Sequence, residues 1–187
     1  VQSRIARTAE ELFVAKGFEE TTVDEIAAAV GMSQRSFFRY FASKDEVVLD
    51  SLERLGEDLA GRLEARPPDE SEWDSLRHSF EPIVERLADP AMREHDQALH
   101  RIVDESPRLL AAYLGRLDRL QRSLAELLMD RAAGCGGEPD RLVVRALVGG
   151  AFACLHAAMI HAVAEPDEFG TSLDRTMAAL RPACIGV

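Results

Sequence analysis

Residues 21–44 read TTVDEIAAAVGMSQRSFFRYFASK. Thr22, followed three positions later by Glu25, forms a capping box, which starts a helix at Val23 whose apolar face is Ile26, Ala27 and Val30. Gly31 stops that helix. Ser33 caps a second, short helix predicted from Gln34 to about Tyr40, in which Phe37 and Phe41 lie one turn apart and point back at Ile26 and Val30. The pattern is a helix-turn-helix. Its outward face holds Gln34, Arg35, Ser36, Phe38, Arg39 and Tyr40, with Lys44 just beyond.

Those side chains suit phosphates and base edges. A guanidinium forks onto guanine O6 and N7, an amide onto adenine N6 and N7, and hydroxyls and lysine hold the phosphates that fix register. Between Gly31 and Lys44 there are three basic residues, Arg35, Arg39 and Lys44, and no acidic one, in a chain of net charge −11. A local basic face on an acidic chain marks a candidate docking surface. Residues 1–50 still carry a net −3, which slows encounter with DNA and limits non-specific affinity without excluding a positive contact face.

The run from Thr21 to Lys44, continued by Asp45-Glu46, closely resembles the DNA-binding domain of TetR-family transcriptional regulators. The register of the Thr-Thr pair, Ile26-Ala27, Val30-Gly31, the aromatic second helix and the lysine after Phe41 carries the resemblance over about the first fifty residues. It implies that Thr22, Ser33, Gln34, Arg35, Ser36, Phe38, Arg39, Tyr40 and Lys44 meet DNA, the lysine and aromatic positions mainly at the backbone. Two positions depart from the family pattern. Phe38 stands where a tyrosine is common, which removes a phenolic contact to phosphate, and Arg35 stands where glycine or proline is frequent, so base preference there is this chain's own.

The chain has 187 residues, 47% hydrophobic and 29% charged, enough for a sizeable core in one unit or two small ones. Its three cysteines, Cys135, Cys154 and Cys184, are far apart and odd in number, which points to a reducing, cytoplasmic setting and away from a disulfide framework. No apolar signal core opens the sequence.

Outward from the central stretch, Ile5, Ala9, Leu12 and Phe13 make one stripe of a first helix from about Gln2 to Lys16, ended by Gly17. On the other side, Ser43 and Glu46 form another capping box, and Val47, Val48, Leu52, Leu55, Leu59 and Leu63 keep helical spacing as far as Pro67-Pro68. This helix is expected to link a helix-turn-helix domain, 1–45, to a helical effector-binding and dimerisation domain, 46–187. Caps and N-terminal prolines then mark one helix after Ser71 running through Trp73, Phe80 and Leu87, a shorter one at Asp89-Pro90, a long one from Ser106-Pro107 to about Ala133, one from Pro139 to about Ala164, and a last one from Pro166 to about Leu180. No strand alternation competes, so the expected fold is all-α with about nine helices.

Leu142–Ala164 is apolar nearly all round. A membrane span there must bury Arg145 at roughly 2.5–3.5 kcal/mol, besides His156 and His161, so packing against protein is the better reading and no membrane partner is expected. Gly149, Gly150, Ala151, Ala153, Ala157 and Ala158 allow close approach of another helix, which makes this helix and the last one the candidate homodimer interface. The family resemblance implies the same arrangement, four helices from two subunits.

Other chemistry is thin. His95 and His100, like His156 and His161, are five apart, about 140° round a helix, where chelation from one face needs four, so no metal and no cofactor are expected. The Gly134-Cys135-Gly136-Gly137 loop lacks the lysine and hydroxyl of a phosphate loop and reads as a helix stop, and Cys135 has no neighbouring base to make it a sensor. No nucleophile with a base, paired carboxylates or cofactor loop has a local signature, so the chain is not read as an enzyme.

Together these features describe an expected cytoplasmic homodimeric regulator, a repressor released from a palindromic double-stranded DNA operator by a small, lipophilic effector. Helical faces give Phe80, Val84, Val103, Tyr113, Leu117, Phe152 and His156 as the pocket lining, apolar with few polar anchors, with His156 alternatively a plain core hydrogen bonder. The segment from Ile102 through Ser106-Pro107 and Tyr113 to Arg131 loosely resembles a TetR subgroup that includes regulators answering to acyl-CoA. The alternative is a helical ligand- or partner-binding protein with a vestigial helix-turn-helix, which a DNA selection separates from the first.

Overall fold

A computed structural model of the chain describes residues 1–134 and 138–182, all of whose regular structure is helical. Among these residues there are ten α-helices, α1 Gln2–Lys16, α2 Val23–Ala29, α3 Gln34–Phe37, α4 Lys44–Glu64, α5 Glu72–Ser79, α6 Glu81–Ala88, α7 Pro90–Glu105, α8 Pro107–Gly134, α9 Arg141–Ala164 and α10 Phe169–Ala179, with a short 3₁₀ turn at Pro166–Glu168. The all-α expectation holds. One helix expected after Ser71 is two, because Pro82 has no amide to donate and its ring clashes with the carbonyl four residues back, so the chain re-caps at Phe80. The last helix begins at Phe169 instead of Pro166, the intervening residues forming the 3₁₀ turn. Cys135, Gly136, Gly137 and Cys184 lie outside the described residues.

The chain divides into two compact units, and the division does not fall at 45/46. The first is Val1–Leu55 with Ala91–Leu117, the second Gly56–Pro90 with Asp118–Val187. Sequence reading placed the border at the end of the recognisable motif. The three-helix motif is too small to bury its own apolar residues, so α7 and the start of α8 complete its core. Ile5, Ala9, Phe13, Ile26, Phe37, Phe41, Val47 and Val48 share one cluster with Val103 and Leu109.

The second unit is built on the later turns of α4, on α5, α6, the rest of α8, α9 and α10. Leu59, Leu63, Leu76, Phe80, Leu124, Leu128, Val148 and Leu173 are all essentially buried. The Trp73 indole donates to the carbonyl of Met177 at 3.0 Å, and its ring packs over α9 at Gly150. Arg131 donates to the carbonyls of Leu63 at 2.7 Å and Pro67 at 2.8 Å, closing the open end of α4. By length and composition α9 is apolar enough to cross a membrane, yet Val144, Val148, Ala151, Leu155, Ala158 and Ala162 form a buried stripe facing α5 and α10.

Candidate nucleic-acid interface

Local chemistry fixes the helix-turn-helix. The Thr22 hydroxyl accepts from the Glu25 amide at 3.2 Å and the Glu25 carboxylate accepts from the Thr22 amide at 2.9 Å, the reciprocal capping box that the sequence indicated. Lys16 also pairs with Glu25, and these bonds hold the Glu25 carboxyl down at about 2, the Lys16 bond being the largest cause. At the other end of α2, the Met32 amide donates to Ala27 at 2.9 Å and the Gly31 amide to Ala28 at 3.0 Å, a Schellman closure that needs the φ of 73° at Gly31. Arg4 donates to the carbonyl of Val30 at 3.0 Å.

Ser33 caps α3 through a 3.2 Å bond from the Ser36 amide. Regular α-helix ends at Phe37, three residues short of the expected Tyr40, because the amides of Arg39 and Tyr40 turn to the carbonyls three residues back. Phe37 and Phe41 are buried as predicted, which turns the other face outward. Gln34, Arg35, Phe38, Arg39 and Tyr40 are exposed and Ser36 is half-buried. Among the described residues, the side chains of Gln34, Arg35 and Arg39 make no hydrogen bond or ion pair, and Phe38 stands edge-on to Phe37 with half its surface open. Two uncommitted guanidinium groups and an amide on α3 and the turn that follows it can read base edges or bind phosphates.

Lys44, expected to meet the DNA backbone, is engaged within the protein: its ammonium donates to the carbonyls of Phe18 at 2.7 Å, Glu19 at 3.2 Å and Thr21 at 3.4 Å and lies 4.3 Å from the Phe18 ring centroid. An ammonium has three donors, and all three point at the turn after α1. Thr22 and Ser33 are likewise occupied with capping, although both remain exposed.

The acidity of the first fifty residues is answered by arginines outside the motif. Arg54 lies 2.6 Å from Asp50 and 3.7 Å from Glu10, Arg108 lies 2.7 Å from Asp45, and Arg116 pairs with Glu46 and lies 3.4 Å from Glu53. His95 adds a 3.2 Å contact to Glu10. Sequence reading missed these partners because they come from α4, α7 and α8. The only local signal was the Ser106-Pro107 start, which puts Arg108 in the first turn of α8.

The seven residues proposed to line a pocket fall in different units: Val103, Tyr113 and Leu117 in the first, and Phe80, Val84, Phe152 and His156 in the second. Val103 belongs to the helix-turn-helix core, and Tyr113 packs against it with its phenol pushed up by burial. Phe80 and Phe152 meet edge to face at 5.3 Å, both buried. His156 is exposed, which overturns its reading as a buried polar anchor: on α9 the buried stripe runs through Phe152 and Leu155 and leaves position 156 on the open side. Among the described residues no group of three His, Cys, Asp or Glu side chains is placed to hold a metal ion.

Comparison with known proteins decides the family. Residues 5–50 match the sequence profile described as bacterial regulatory proteins, tetR family, and residues 70–184 match that of the MftR C-terminal domain. The chain belongs to the TetR family of bacterial regulatory proteins. The HTH-type transcriptional regulator TcmR of Streptomyces glaucescens is 38% identical over 134 residues, 70% of this chain and 59% of TcmR. This chain therefore spans less than two thirds of that relative's length. Among solved structures, SmeT of Stenotrophomonas maltophilia in complex with triclosan superposes with a TM-score of 0.65 at 22% identity, over 95% of this chain and 90% of that one. The TetR-family repressor FadR of Thermus thermophilus with lauroyl-CoA gives 0.59 at 24% identity over 98% of both. At these identities the two structures establish the TetR fold.

Proposed function

We propose that the chain is a cytoplasmic, homodimeric repressor, not an enzyme, that binds a roughly palindromic operator through α3 and leaves it when a small lipophilic molecule binds. The observation that carries this is the pair Arg35 and Arg39, exposed and, among the described residues, unpaired, on α3 and the turn that follows it, with Phe37 and Phe41 anchoring that segment from behind. The membership of the TetR family supports it. Two such helices must enter successive major-groove faces about 34–36 Å apart, so release needs only a change in their spacing, and an effector acts by binding better to the wrongly spaced form.

The surface for self-association is the open face of α9. Leu142, Ile160 and Val163 are 76%, 61% and 71% exposed on it, with Ala153, His156 and Ala157 between them. An apolar stripe on one helix, with small residues that permit close approach, fits a second copy across a twofold axis. For the effector, the apolar make-up around Phe80 and Phe152 favours a lipophilic or acyl-bearing molecule, acyl-CoA among them. SmeT with triclosan and FadR with lauroyl-CoA, which carries a long acyl chain, are proteins of this fold.

Selection from random duplexes with the full chain tests the reading. Enrichment of a palindrome, with log affinity falling steeply against log salt, is the expected result. Failure to enrich any duplex overturns it in favour of a helical binding protein with a vestigial motif. For the effector, thermal shift against a ligand panel should single out lipophilic members; a response confined to hydrophilic ligands removes that part.

A further inference from the structure

Arg108 stands in the first turn of α8, outside the helix-turn-helix, and its place is fixed by its neighbours. Leu109 is fully buried in the helix-turn-helix core, and the Leu109 amide donates to the Ser106 hydroxyl at 3.4 Å. The Arg108 side chain is 73% exposed, and its Nη2 lies 2.9 and 2.7 Å from the two carboxylate oxygens of Asp45. Nε and Nη1 have no partner among the described residues. The side chain lines an open groove together with Glu19, Thr22, Phe38, Ser43, Lys44 and Asp45, residues of the turn after α1, the end of α3 and the starts of α2 and α4; the Glu19 carboxylate lies 3.5 Å from the Lys44 ammonium, so Asp45 is the carboxylate there that Lys44 leaves to Arg108.

We propose that Arg108 is a DNA-backbone contact supplied from outside the helix-turn-helix: it neutralises Asp45 with one nitrogen and presents the rest of its fork to a phosphate. The inference rests on the DNA-binding reading above. Three observations carry it. Asp45 sets a carboxylate in the groove beside Thr22 and Phe38, where a passing phosphate meets a like charge unless that carboxylate is paired. Lys44 is the other basic residue in the groove, and its donors are committed to Phe18, Glu19 and Thr21. A guanidinium, unlike an ammonium, holds five donors in a rigid plane, enough for a carboxylate on one edge and a phosphate on another. Arg116, the other arginine from α8 in this unit, is only 11% exposed between Glu46 and Glu53 and has no such freedom.

The test uses the full chain and the duplex that it selects, with fluorescence anisotropy across a salt series for the wild type, Arg108→Ala, Arg108→Gln and Asp45→Asn. Each phosphate contact contributes about 0.9 to the slope of log affinity against log salt. Both Arg108 variants should therefore lose about that much slope per bound subunit and weaken selected and scrambled duplexes alike. Asp45→Asn, which frees Arg108, should bind at least as tightly as the wild type. Arg108→Gln keeps a polar side chain on the folded core, and a melting temperature matching the wild type's confirms that its slope reports on DNA. An unchanged slope in Arg108→Gln, with Asp45→Asn losing as much affinity as Arg108→Gln, overturns the proposal and leaves the pair a brace within the protein. A wild type that binds no duplex overturns the DNA-binding reading as well, so the two failures look different.

Discussion

The ammonium of Lys44 lies 2.7 Å from the carbonyl oxygen of Phe18 and 4.3 Å from the centroid of the same residue's ring, so the first residue of α4 is tied to the turn that follows α1. Removing it strands carbonyls of a partly buried turn. Lys44→Ala should lower stability by about 1–2 kcal/mol, seen as a fall in melting temperature of roughly 2–8 °C. It should weaken every DNA sequence alike while leaving the salt slope at the wild-type value. A slope reduced by about 0.9 per subunit with no loss of stability contradicts this, since it marks a phosphate ligand.

On the DNA-binding reading proposed above, Arg35 should carry the sequence preference. Its guanidinium is exposed and uncommitted, so Arg35→Ala should leave the fold intact and cost about 1–3 kcal/mol of discrimination at one operator position. Binding to the selected duplex and to its single-base variants measures this. If the variant ranks those duplexes as the wild type does, α3 is not the reading helix.

Acid should loosen α2 from its N-terminus. Bonds from Lys16, then from the Thr22 amide and hydroxyl, bring the Glu25 carboxyl from 4.5 down to about 2. A group whose folded pKa lies below its unfolded value stabilises fully above the unfolded value and stops doing so as pH falls through the folded one. The contribution of Glu25 should thus be complete above about 4.5 and fade toward about 2. NMR titration of the Glu25 carboxyl checks it, and Glu25→Gln should abolish that part of the acid transition. A carboxyl titrating in the ordinary range removes the argument.

Charge on the open face of α9 should prevent self-association. Ile160 is 61% exposed, and a twofold interface counts each substitution twice. Burial of an aliphatic side chain contributes about 1.5–3 kcal/mol, so Ile160→Asp should shift the dimer–monomer equilibrium at least tenfold and weaken operator binding with it. Sedimentation equilibrium reads the first effect and anisotropy the second. An unaltered dimer moves the interface elsewhere.

The sequence by itself determined the helices and the orientation of α3. Caps at Thr22, Ser33, Ser43 and Ser71, the stop at Gly31 and the prolines at 90 and 107 act within one turn of chain, so their meaning is present in the residues alone. Phe37 and Phe41, spaced one turn apart, likewise settle which way Arg35 and Arg39 face. Pro82 is equally legible as a break, but the apolar spacing continues through it and masks the interruption.

Only the tertiary structure decided which charges are free. Lys44 and Arg35 look alike in the sequence, both basic and both in the motif, yet one is held by three carbonyls from the turn before α2 and the other makes no hydrogen bond or ion pair among the described residues. The partner of Asp45 lies 63 residues away, and no local pattern predicts a contact of that separation. The exposure of His156 was hidden for a related reason: α9 is apolar on every side, so periodicity could not tell the buried stripe from the open one until α5 and α10 were packed against it.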